Sequence, residues 1–139
     1  MKETIDLKEN RLLTAASLLA ILLFTFHITD DVVRGFEPGG FKNINVIVIG
    51  FTWLFGTVIL AGRRSGYIIV LLGSLLGCVV PLAHMRGAGF VGGRVANTSG
   101  MFFFVWTMLA LGVTSLLCLF LSVRGLWNLR RSKRLRVTD

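Results

Sequence analysis

Every charged side chain in this sequence of 139 residues lies outside four long apolar blocks. The blocks cover residues 12–29, 44–62, 67–85 and 101–123, and none contains Asp, Glu, Lys or Arg. A helical rise of about 1.5 Å per residue makes each block about 27–35 Å long, close to the roughly 30 Å of a bilayer's hydrocarbon core. A membrane imposes this segregation, because a charge at its centre costs at least about 2.5 kcal/mol. Backbone N–H and C=O groups find no water in lipid, so the blocks should be helices. They lack the alternating polarity of barrel strands. The expected fold class is an all-α integral membrane protein, with four transmembrane helices in an antiparallel bundle.

Composition excludes the main competitors. Hydrophobic residues make up 54% and charged residues only 16%, more apolar surface than a soluble domain of this size can bury. A soluble enzyme, a disordered tail and a disulfide-rich secreted module are therefore ruled out. The net charge of +8 would suggest nucleic acid in a soluble chain. Here the surplus is localised, and no nucleic-acid partner is expected.

Eleven of the fifteen Lys and Arg residues lie in the N-terminal segment, the RRSG turn and the C-terminal tail. The positive-inside rule then puts both termini and Arg63–Arg64 in the cytoplasm. The expected location is the plasma membrane, which in a bacterium is the inner membrane. The organisation expected is a cytoplasmic segment 1–11, a spanning bundle 12–123 and a basic cytoplasmic tail 124–139. The first block reads as a retained span, because it is long, it ends in HITDD and no Ala-x-Ala-like site follows it. The tail, with Trp127, reads as a topology anchor at the headgroups, or else as a contact for anionic lipid. Cys78 and Cys118 fall at depths about 9 Å apart, so they read as small packing residues rather than a disulfide. The Gly-rich stretch 87–100 reads as a loop without a phosphate-binding motif.

Small residues punctuate the spans. Gly73 and Gly77 give a GxxxG spacing in the third, which lets helices approach closely. Packing inside the bundle is the expected use, and a dimer interface is the alternative.

One constellation carries chemistry. The only two histidines, His27 and His84, fall at the outer ends of spans one and three in this topology. Asp30 and Asp31 follow His27 at i+3 and i+4, the spacings that share a helix face. Two imidazoles with one or two carboxylates suit Zn, Fe or Mn, so His27, Asp30, Asp31 and His84 are the candidate metal ligands and a divalent metal is the candidate cofactor. The same four are the candidate catalytic groups, because an Asp–His pair serves general acid–base chemistry. Arg34 and Arg86 are placed to hold an anionic headgroup. Phe102, Phe103 and Trp106 open the fourth span at a similar depth and are the candidate wall for an amphiphile; Phe104 lies among them. The plain alternative is that these are ordinary interfacial residues and an aromatic belt.

Three function classes follow. The first is a binding or accessory subunit that holds a lipid, a pigment or a partner helix, with membrane lipids, a homo-oligomer or a larger membrane complex as partners. The second is a membrane-embedded enzyme acting on a lipid, isoprenoid or quinone through the His/Asp cluster. The third is a small transporter or channel, ranked last because no acidic residue lies inside the first span.

Overall fold

The computed structural model describes the backbone of residues 2–86 and 101–135, and the side chains of residues 7–84 and 103–132. Four α-helices make up nearly all of it: α1 Lys2–Val33, α2 Ile44–Val58, α3 Arg64–Arg86 and α4 Met101–Leu135, with a short 3-10 turn at Gly40–Asn43 before α2. The described residues contain no strand. Each helix includes a stretch long and apolar enough to cross a membrane: Leu7–Val33, Gly40–Val58 (counting the 3-10 turn), Arg64–His84 and Phe103–Ser132.

Two helices run past the apolar blocks that predict them. α1 begins at Lys2, so the N-terminal segment is its first turns rather than a separate piece. α4 continues beyond Val123 to Leu135, carrying Arg124, Arg130 and Arg131 with it. Hydropathy marks where a helix can sit in lipid, not where it must stop. Leu, Arg and Lys are good helix formers, and cations favour a helix C-terminus. α2 is shorter than its block. It ends at Val58, and the chain turns through Gly62, whose φ of +74° lies in the left-handed region open to glycine.

Three buried stripes organise the packing. On α1 the buried positions include Leu13, Ala16, Ala20, Phe24, His27 and Asp31. On α3 they run from Gly66 through Val70, Gly73 and Gly77 to Pro81. On α4 they include Phe104, Met108, Leu111, Ser115, Cys118 and Ser122. Steps of three and four repeat along each, the spacing that keeps one seam facing its neighbours. α1, α3 and α4 pack against one another, while α2 touches α1 and α3 but not α4 among the described residues.

The GxxxG pair is used inside the chain. A Cβ on Gly73 would collide with the Trp53 indole, and one on Gly77 with Ser115. Gly73 thus receives α2, and Gly77 receives α4, at close range. Trp53 is 1% exposed and is pinned as well as packed. Its Nε1–H donates to Ser17 Oγ at 2.9 Å, and Ser17 shares a 2.8 Å hydrogen bond with Thr57 Oγ1. Thr57 Oγ1 also lies 2.8 Å from the Trp53 carbonyl, which accepts its hydroxyl. Lipid tails are as apolar as Leu, so such polar contacts and close packing, rather than hydrophobic transfer, hold spans together.

At one end of the packed helices, Glu9 of α1 pairs with Arg124 of α4. At the other, Phe26 of α1 meets Phe103 of α4, with ring centroids 6.1 Å apart. The candidate site lies at this second end.

Candidate functional site

The last turn of α1 sets the site. α1 closes with a two-bond glycine cap: Phe36 N–H donates to the Asp31 carbonyl at 2.9 Å, and Gly35 N–H to the Val32 carbonyl at 3.1 Å. Gly35 takes φ +74°, the left-handed conformation this cap requires. The helix therefore continues past Asp31 before it ends, and His27 and Asp31 remain one turn apart on the core-facing stripe. His84 reaches the same place from the final turn of α3.

The three side chains meet. Asp31 Oδ2 lies 3.3 Å from His27 Nε2 and 3.8 Å from His84 Nε2. The imidazole centroids are 4.9 Å apart with the ring planes perpendicular. One donor atom from each of the three residues can be chosen so that all lie within 4.8 Å of one another. His27 and Asp31 are 1% and 4% exposed, and the side chain of His84 is 28% exposed.

Two atoms of the cluster have no hydrogen-bond partner: His27 Nδ1 and Asp31 Oδ1, both buried. Buried polar atoms are nearly always satisfied, and buried charges are paired or bind metals. The Asp31 carboxyl group thus lies between two imidazoles with one of its oxygens unpartnered.

The flanking residues divide the sequence-based candidates. Asp30 turns away from the imidazoles to Arg34, whose Nε–H donates to its Oδ2 at 2.7 Å, one turn along the same helix. The structure thus brings together His27, Asp31 and His84, and pairs Asp30 with Arg34 beside them. The aromatic ring under the cluster is Phe104, 1% exposed, with its centroid 5.6 Å from His27 and 5.3 Å from His84. Phe36, delivered by the glycine cap, lies 6.4 Å from the same ring. The Arg34 guanidinium sits over it at 5.6 Å. Of the other aromatic candidates, Phe103 packs on Phe26 and Trp106 is 60% exposed. The side chains of Arg86 and Phe102 lie outside the described residues.

Sequence reasoning named Phe104 among the aromatics at this depth without singling it out, and it passed over Phe36. Phe104 is the fourth member of the buried α4 stripe counted back from Ser115 in steps of four and three (Ser115, Leu111, Met108, Phe104). That phase is the signal that separates it from Phe103. No sequence signal marks Phe36, because the cap folds it back.

Chemically the arrangement offers two imidazole nitrogens and a carboxylate oxygen. Metal–ligand bonds of about 2.0–2.2 Å in tetrahedral geometry put neighbouring donors roughly 3.3–3.5 Å apart. The 3.3 Å separation of His27 and Asp31 matches that spacing, while the 3.8 Å from Asp31 to His84 and the 4.8 Å within which the whole set lies are wider, so His84 would have to move inward to share an ion. The fold and site together define an all-helical chain with four span-length helices and a His–Asp–His cluster at one end. Comparison with protein-family models, with curated proteins and with solved structures finds no match to this chain, so the reading of the site stands on its geometry.

Proposed function

We propose that this chain is a small membrane-integral binding protein of the plasma membrane, with a divalent transition-metal site of His27, Asp31 and His84 as its working part. The observation that carries this is the trio, with His27 and Asp31 buried, one donor atom of each residue within 4.8 Å of the others, and two unsatisfied polar atoms. Two imidazoles and one carboxylate suit Zn and the neighbouring first-row ions rather than Mg or Ca, which prefer oxygen ligands.

The helices form an antiparallel four-span bundle with both termini cytoplasmic. The Glu9–Arg124 pair at one end and the Phe26–Phe103 contact at the other support the antiparallel course of α1 and α4. The excess of basic residues in the termini and the Arg63–Arg64 turn supports the orientation. The metal site then faces the outer leaflet. Residues 12–123 serve as the spanning bundle, and the basic end of α4 as its cytoplasmic anchor.

A lipid-holding role has its own support. A groove of about 400 Å³ between α1 and α2, lined by Ile21, Phe24, Ile28, Val46, Phe51 and Leu54, opens on the apolar surface. It would hold an acyl or isoprenoid chain beside the site, in keeping with an accessory subunit of a larger membrane complex.

The test is native mass spectrometry with elemental analysis of the full chain, gently extracted from its membrane. The expected result is one transition-metal ion per chain, lost in His27→Ala and in His84→Ala and retained in Asp30→Asn. A wild-type protein without metal, or metal retained in both histidine variants, overturns the reading.

A further inference from the structure

Three donors do not fill the coordination sphere of a transition metal, and a structural zinc site is closed by four. The cluster is shut on the α1 side, where the side chains of His27 and Asp31 are 2% and 5% exposed, and open beside His84, whose side chain is 28% exposed. The segment that follows α1 folds back onto this end. Phe36 N–H and Glu37 N–H both donate to the Asp31 carbonyl, at 2.9 and 3.3 Å. The Phe36 ring packs on Phe104, the ring beside both imidazoles. Gly39 lies so close to α1 that a Cβ there would stand 3.3 Å from Val32 Cγ1. Pro38 narrows the backbone freedom of Glu37 further. Glu37 is thus held at its backbone from both sides, whereas its side chain is exposed and makes no ion pair among the described residues.

Charge points to the same residue. The charged groups that act on Asp31 are Asp30, Glu37 and Arg34, and Glu37 acts on His84 as well. Arg34 pairs with Asp30 at 2.7 Å, so those two charges offset each other. A divalent ion held by neutral imidazoles needs two negative charges for balance, and unbalanced charge in a mostly buried place is costly. Asp31 supplies one. Glu37 is the carboxylate in range of both Asp31 and His84 that supplies the other.

We infer that Glu37 is the fourth ligand of this site, its carboxylate turning in beside His84 to complete a shell of two imidazoles and two carboxylates. This rests on the metal reading above. Without an ion the Glu37 carboxylate stands outside the cluster of His27, Asp31 and His84. Repulsion from Asp31 keeps it there, and a bound cation reverses the sign of that interaction. The movement needs only side-chain rotation, on the side where His84 also has room to come inward. The event is a ligand exchange: a metal-bound water leaves, an oxygen lone pair of Glu37 takes its place, and no bond in the protein breaks. The ion then clasps α1, α3 and the segment after α1 together. Four protein ligands make a site that holds its ion rather than one that keeps a position for substrate.

Cobalt(II) reports both affinity and coordination through its visible absorption. The full chain in phosphatidylcholine nanodiscs is titrated with Co(II) as wild type, as Glu37→Ala and as Glu37→Gln, which keeps the side chain's size. Each is then titrated with acetate, a free carboxylate. Both variants should bind Co(II) at least about tenfold more weakly than the wild type. Loss of an outer-shell partner alone costs about 10- to 100-fold, so the acetate response is what assigns a ligand. Acetate should shift the Glu37→Ala band saturably and recover affinity, because it fills the vacated position, and should leave the wild-type band unmoved. Unchanged affinity and spectrum in both variants overturn the inference and leave the metal reading intact. So does a wild-type band that acetate moves, because the fourth position is then open. So does weakened binding in Glu37→Ala with no acetate response, because Glu37 then acts only through its field. No Co(II) band in the wild type overturns the metal reading and the inference together.

Discussion

Alanine at Gly73 and alanine at Gly50 make a matched pair that isolates the packing of α2 on α3. A methyl group at Gly73 lands in the Trp53 indole, whereas the same methyl at Gly50 meets nothing within 4 Å. Both positions lie inside spanning helices, so the gain of about 1 kcal/mol in helix propensity from Gly to Ala enters both variants and cancels in their difference. Trp53 has no inexpensive way to move. It is 1% exposed, its Nε1–H is held by Ser17 at 2.9 Å, and Phe24 packs on it with centroids 6.2 Å apart. Overpacking at such a site costs about 1–3 kcal/mol. The unfolding equilibrium constants of the two variants should therefore differ roughly 5- to 150-fold, with Gly73→Ala the less stable. Denaturing-detergent titration of the full chain in mixed micelles, followed by helical circular dichroism, measures this. Equal stability of the two variants contradicts the packing described. A Gly73→Ala variant with wild-type stability but altered self-association would move Gly73 from the inside of the bundle to a contact between copies.

Gly35→Ala should destabilise the end of α1 by about 1–2 kcal/mol through backbone strain alone, because φ is +74° and no atom lies within 4 Å of the added methyl; Gly35→Asn should be milder in the same titration. Ser17→Ala leaves the buried Trp53 N–H without its acceptor, at a cost of about 0.6 and at most about 1.7 kcal/mol on the scale of interhelical bonds in membranes. No loss in that variant would mean the indole finds another partner. Metal affinity should fall as pH drops, because imidazole binds metal only when deprotonated and protons compete for both histidines; an equilibrium dialysis series from pH 8 to pH 5 (about the range over which free imidazole titrates) checks the direction. Ser65→Cys, in the first turn of α3, should react with a membrane-impermeant maleimide only after the cytoplasmic face is opened. Labelling of intact cells would invert the topology.

Much of the site was legible because two periodicities coincide in it. The apolar blocks place His27 and His84 at one end, and the buried stripes on α1 and α3, in steps of three and four, lead straight to them. The sequence does not separate Asp30 from Asp31. Both carboxylates stand at helical spacing from His27, and the choice turns on Arg34, one turn beyond Asp30, which draws that carboxylate away. Phe102, Phe103 and Phe104 are equivalent to composition; only the phase of α4, set by packing at Met108, Leu111 and Ser115, assigns Phe104 to the imidazoles. The helix ends were read less well for a related reason. Hydropathy locates the lipid-facing stretch, while the continuation of α4 through Arg124, Arg130 and Arg131 depends on helix propensity in residues that hydropathy discards. The glycine cap at Gly35, which brings Phe36 back onto Phe104, depends on backbone geometry that one glycine in a loop does not announce.

X-ray absorption at the edge of the bound metal, on full-length protein purified from its membrane, reads the ligand set without reference to activity. The structure predicts two imidazole nitrogens and a light-atom oxygen shell at about 2.0–2.2 Å. A shell dominated by sulfur, an all-oxygen shell without imidazole scattering, or no metal to measure would contradict a metal centre at His27, Asp31 and His84.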